Sequence, residues 1–76
     1  MKNPVDVATG QRLMVTRKEL GMSQTDVGNA CGISFQQIQK YESGINRVSM
    51  SRLFQICGAM GVKPSSMVFE IEGDVR

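Results

Sequence analysis

Residues 23–44, SQTDVGNACGISFQQIQKYESG, admit few folds, because two helix starts follow each other with only a short turn between them. Ser23 is a good N-cap, Asp26 stands three residues on as its acidic capping-box partner, and Met22 and Val27 occupy the positions of a hydrophobic staple. The device repeats at once: Ser34 is followed by Gln37, and Ile33 and Ile38 stand where a second staple requires them. Between the two lies Gly32, which can take the left-handed conformation that stops a helix without a Cβ clash. Two capped helices separated by about three residues, with a glycine in the turn, describe a helix-turn-helix unit.

The apolar spacing agrees. Val27, Cys31, Ile33, Ile38 and Tyr41 are the inward positions, and Gly28 is small enough for the second helix to cross closely over it. A glycine inside a helix costs roughly 1 kcal/mol relative to alanine, so it usually has a packing reason. Ending the helix at Gly28 is the alternative, but Val27 and Cys31 keep helical spacing across it.

With Gln24, Val27, Gly28, Gly32, Ile33, Ile38 and Tyr41-Glu42-x-Gly44 in place, the stretch resembles the helix-turn-helix of the phage repressor and Cro family, the XRE-type regulators. The resemblance runs back through Gly10-x-x-Leu13 and Arg17 to Gly21-Met22-Ser23-Gln24, and forward to the Ile56 to Val62 region. It implies an all-α, compact five-helix, lambda-repressor-like DNA-binding domain with a central helix-turn-helix unit over 23–43. It also implies an ion pair between Arg17 and Glu42, since a charge between core positions is costly unless paired.

Seventy-six residues suit one small domain near the lower size at which a chain buries a useful core. No window reaches the roughly 18 apolar residues of a membrane span, and MKNPVDVATG lacks the apolar run of a signal peptide, so a cytoplasmic protein is expected. Cys31 and Cys57 have neither histidine nor C-x-x-C spacing to accompany them, which argues against a metal site and for two reduced, buried thiols. No cofactor is implied. Residues 1–63 carry eight basic and four acidic side chains, whereas 64–76 carry one and three, giving a basic body and an acidic tail.

In chain order, residues 1–5 read as a flexible arm and 6–71 as the domain, with Asp6 available as the first N-cap. The first helix presents Gly10, Leu13, Thr16 and Arg17 and ends at Gly21. A fourth helix capped by Ser49 presents Leu53, Ile56, Cys57 and Met60. The last has Pro64 at its first position and Met67, Val68 and Ile71 for its apolar face, and 72–76 read as a frayed acidic tail.

The resemblance places the second helix of the unit in the major groove. With Ile38 and Tyr41 inward, it offers Ser34, Phe35, Gln36, Gln39 and Lys40 as base contacts. Gln can pair bidentately with adenine and Lys can donate to guanine, each worth about 1–3 kcal/mol of discrimination. Phe35 either presses on thymine methyls or folds back onto the domain. Phosphate contacts implied by the family are Gln24, Ser43, Asn46 and Arg47. The working unit implied is a homodimer repressor on a pseudo-palindrome with reading helices roughly 34 Å apart, and Met60 and Phe69 are its candidate interface residues.

Enzymatic function is not expected, for the chain has no histidine and no phosphate loop of usable spacing. The rival reading is an antitoxin or protein-interaction module that uses the same fold to bind a toxin or an anti-repressor. The polar face from Ser34 to Lys40 favours DNA; Phe35 is the one residue on it that favours a protein.

Overall fold

The computed structural model describes residues 2–76 as five helices, with no strand among the described residues. They are α1 (Pro4–Glu19), α2 (Gln24–Cys31), α3 (Phe35–Glu42), α4 (Met50–Met60) and α5 (Pro64–Val75). The body measures 31 × 25 × 22 Å. One core runs through it, built from Leu13 of α1, Val27 of α2, Ile33 of the turn, Ile38 and Tyr41 of α3, Leu53, Ile56, Cys57 and Met60 of α4, and Met67 and Ile71 of α5. No described helix is long and apolar enough to cross a membrane.

α1 and α3 meet at Gly10. A Cβ there would fall on the carbonyl of Tyr41 and crowd that of Glu42, so only glycine lets the first helix lie against the end of the third. Above this crossing Leu13 and Arg17 continue the buried stripe at helical spacing. α4 packs against α2, and α5 closes the far side of α1.

Several boundaries and packing roles differ from the sequence expectation. The N-cap of α1 is Asn3 instead of Asp6, so the helix begins at Pro4: the Asn3 side chain accepts from the backbone N–H of Val5 and Asp6, and proline at N1 needs no N–H partner. The expected arm at 1–5 is therefore helical from its fourth residue; Met1 lies outside the described residues. At the other end, α5 continues through the expected frayed segment 72–76 to Val75. Arg12 holds it: its Nη1 lies 2.9 Å from Glu70 Oε2 and its Nη2 2.9 Å from Asp74 Oδ1. Two acids at i and i+4 thus straddle one arginine of α1, and the acidic tail is folded onto the body.

Met60 is 7 % exposed and belongs to the core, which removes it as an interface residue. Leu53, Ile56, Cys57 and Met60 form the buried stripe of α4, and Gly61 ends the helix directly after. Val68, expected on the inner face of α5, is exposed, because Met67 and Ile71 fill that stripe at i and i+4.

Candidate nucleic-acid interface

The helix-turn-helix unit is fixed from its first cap. Ser23 Oγ accepts from Asp26 N–H at 2.9 Å, and Asp26 accepts from Ser23 N–H at 2.9 Å, a complete capping box. That backbone donor holds the Asp26 carboxyl below its ordinary range. At the other end of α2, Gly32 takes φ 71° and ψ 30°, and Ile33 N–H returns to the Gly28 carbonyl at 2.8 Å. Gly28 is needed for this return. A Cβ there would collide with the Ile33 carbonyl, so the close neighbour is the turn backbone, whereas the sequence suggested the second helix.

Ser34 caps α3 by accepting from Gln37 N–H at 3.2 Å. From there the 3.6-residue period divides the helix cleanly. Ile38, Tyr41 and Glu42 are buried, Gln37 is half-buried, and Phe35, Gln36, Gln39 and Lys40 are exposed. Phe35 is 46 % exposed, at the first turn of the helix. Among the described residues, the side-chain amides of Gln36 and Gln39 and the ammonium of Lys40 have no hydrogen-bond partner within the chain, which leaves donors and acceptors open on one face.

The far end of α3 is anchored by charge. Arg17 Nε lies 2.7 Å from Glu42 Oε2 and Nη2 lies 3.0 Å from Oε1, a two-point pairing with both side chains buried. Arg17 Nη1 also donates to the Met22 carbonyl at 2.9 Å, so the guanidinium ties α1, the α1–α2 loop and α3 together. The bond from Glu42 raises the arginine pKa above its ordinary value against the opposing effect of burial.

The expected phosphate contacts surround this helix in different states. Gln24 is half-buried, with Nε2 donating to Glu42 Oε1 at 2.9 Å, so it touches the Arg17–Glu42 pair. Ser43 Oγ donates to the Lys40 carbonyl at 3.1 Å, and the Ser43 carbonyl accepts from Lys2 Nζ at 2.7 Å. Asn46 is half-buried in the following loop, its backbone N–H donating to the Lys40 carbonyl at 3.2 Å. The Arg47 side chain is 72 % exposed, with Nε placed 3.2 Å from both oxygens of Asp6.

Three participants were not picked out as site residues from the sequence. Lys2 and Asp6 reach the loop after α3 from the start of α1, a contact across 41 residues that no local pattern encodes. Arg52 donates through Nε to Tyr41 Oη at 3.2 Å and through Nη1 to Gln55 Oε1 at 3.0 Å, linking α4 to α3. A buried tyrosine hydroxyl needs a partner, which was the available signal for a donor near Tyr41.

Comparison with known proteins follows the same outline. The Helix-turn-helix family profile matches residues 13–66. An uncharacterized helix-turn-helix-type transcriptional regulator of Sinorhizobium fredii is 52 % identical over 63 residues, covering 83 % of this chain and 44 % of its own length. An uncharacterized transcriptional regulator in the ATPase CF(0) region of Rhodospirillum rubrum is 44 % identical over 73 residues, covering 95 % of this chain and 68 % of its own. The chain spans about half the length of the first of these relatives. Among solved structures, the clp gene regulator ClgR of Corynebacterium glutamicum superposes with a TM-score of 0.87 at 25 % identity, over 91 % of this chain and 90 % of that one. The restriction-modification controller protein C.AhdI of Aeromonas hydrophila gives 0.77 at 26 % identity, over 80 % and 92 %.

Proposed function

The chain belongs to the helix-turn-helix family of DNA-binding transcriptional regulators, and on that premise we propose that it is a repressor reading a pseudo-palindromic operator as a homodimer. α3 enters the major groove with its first turn toward the base edges. Ser34, Phe35, Gln36, Gln39 and Lys40 contact the bases; Gln24, Ser43, Asn46 and Arg47 contact the flanking phosphates. The observation that supports this most is the outer face of α3, where Gln36, Gln39 and Lys40 are exposed and have no partner within the chain among the described residues. Their amide-rich character suits base edges better than phosphate alone.

Phe35 stands at the leading edge of the same face, with nearly half of its surface in solvent, and its role is to press on thymine methyl groups. Phe69, 75 % exposed on α5, is the remaining candidate for contact with a second copy. It is also the residue that would serve a protein partner such as a toxin or an anti-repressor, if the fold were used for protein recognition.

Fluorescence anisotropy with DNA from immediately upstream of the gene, against scrambled duplex at two salt concentrations, tests the reading. Preference for the upstream DNA that persists at higher salt is the expected result. Equal weak binding to both duplexes, lost with salt, would leave only attraction to phosphate and would remove the proposal.

A further inference from the structure

The Asp6–Arg47 pair is unequal in a way that bears on DNA contact. The Asp6 side chain is 16 % exposed and sits in the first turn of α1, where the helix end favours a carboxylate. Arg47 is the exposed member, and only its Nε engages the carboxylate, at 3.2 Å from each oxygen. Both terminal amino groups of the guanidinium are therefore without an intramolecular partner among the described residues. Two neighbouring contacts join the same two segments. Lys2 Nζ holds the Ser43 carbonyl at 2.7 Å, and Gly44, at φ 78°, lies so close over Val7 that an added Cβ would stand 3.1 Å from its Cα.

We propose that Asp6 is a positioning residue for DNA binding: it grips Arg47 by Nε and thereby presents the two terminal amino groups, as a pre-oriented fork, to a backbone phosphate. The inference rests on the reading of Arg47 as a phosphate contact. A guanidinium offers its donors in a fixed plane, so holding one edge fixes the direction of the others. A free arginine would lose side-chain freedom on binding; one already held loses less. Asp6 thus aids binding although its own charge repels DNA.

The test uses the full chain and random-sequence duplex at low salt, since a phosphate contact needs no particular base sequence. Asp6→Ala is expected to weaken binding about three- to fivefold, the scale of an exposed ion pair. Simple electrostatics predicts the opposite, because removing an acid near DNA strengthens attraction. In an Arg47→Ala background the Asp6→Ala loss should vanish, and Asp6→Asn, which keeps an acceptor for Nε, should lie between parent and Asp6→Ala. The Arg47 Nε–H nuclear magnetic resonance signal should be protected from solvent exchange in the parent and not in Asp6→Ala.

Tighter binding by Asp6→Ala, with Arg47→Ala still weakened, would overturn the positioning role and leave the phosphate contact standing. A loss of equal size in the Arg47→Ala background would assign Asp6 to the fold and overturn it too. Arg47→Ala binding as the parent does, with an unchanged salt slope, would remove the phosphate contact itself and this inference with it.

Discussion

Gln24 donates its side-chain amide to Glu42 at 2.9 Å, so a residue proposed to touch DNA is bonded to the ion pair that holds the reading helix against α1. The carboxylate can only accept, which fixes the amide with nitrogen inward. In the proposed docking the second hydrogen on that nitrogen is the one offered to a phosphate oxygen, so Glu42 would orient the Gln24 contact as well as pair with Arg17.

Glu42→Ala should cost about 3–5 kcal/mol of stability, because it leaves Arg17 buried without its partner. Replacing both by apolar residues of similar volume, Arg17→Met with Glu42→Leu, should recover most of that loss. Urea unfolding of the two variants beside the parent measures both effects. Equal destabilisation in the single and double variants would show that the ionic hydrogen bonds of the pair are themselves net stabilising and that the loss does not come from stranding a buried charge.

Gln36→Ala and Arg47→Ala should separate base reading from phosphate attraction. The first is expected to relax preference at one base position, by about 1–3 kcal/mol of discrimination. The second should weaken binding to every sequence and reduce the salt slope by about one. Selection from randomised duplex followed by salt titration reads the two, and parent-like behaviour by both variants would exclude the docking proposed.

Two glycines in helix interiors should respond with opposite sign. Gly10→Ala places a methyl on the Tyr41 carbonyl, and forcing the helices apart, at about 1–3 kcal/mol, outweighs the roughly 1 kcal/mol gained in helix propensity. Gly58 has open space around the same added atom, so Gly58→Ala should stabilise by about 0.5–1 kcal/mol. Thermal unfolding of both variants gives the comparison; a stabilised Gly10→Ala would mean that the crossing can open freely.

Desolvation pushes the Cys57 thiol above its ordinary pKa of about 9.0. The unfolded chain ionises at the ordinary value while the folded one resists, so stability is unaffected below that range and falls as pH rises through it. Denaturant unfolding between about pH 8 and pH 10 should show this decline, and Cys57→Ala should make it shallower whatever its effect at neutral pH. Cys31, half-buried and also raised by desolvation, should react with a thiol reagent before Cys57 does.

Phe69→Asp should lower self-association while leaving the monomer folded, since the residue is 75 % exposed and outside the core. Sedimentation with and without operator-length DNA decides it. A chain that remains monomeric with and without DNA before any substitution would remove the dimer from the proposal.

The central unit could be read in the sequence because its signals are local. Ser23 with Asp26, Ser34 before α3 and Gly32 between them are each fixed by neighbours within four residues, and the structure has all of these caps. Arg17 and Glu42 could be matched only through the family resemblance, being 25 residues apart. What escaped was long-range or competitive. Asp6 suited an N-cap, but Asn3 with Pro4 begins the helix one turn earlier and leaves Asp6 facing Arg47. The end of α5 read as frayed because its acids looked like a solvated tail; Arg12, 62 residues away from Asp74, holds them. Met60 could belong to core or interface by composition alone, and only the packing of α4 on α2 decides for the core.

The clean division of α3 has a consequence for how such a protein changes over time. Its inward side chains carry the fold, while Gln36, Gln39 and Lys40 take little part in it and Phe35, more than half covered, takes some. Substitutions at Gln36, Gln39 and Lys40 should be nearly neutral for folding, within about 0.5 kcal/mol each. In the docking proposed above, sequence preference can therefore drift, or be redesigned from a small library, without first acquiring compensating mutations in the core. The same scaffold can acquire a new address on DNA while its stability stays where it was.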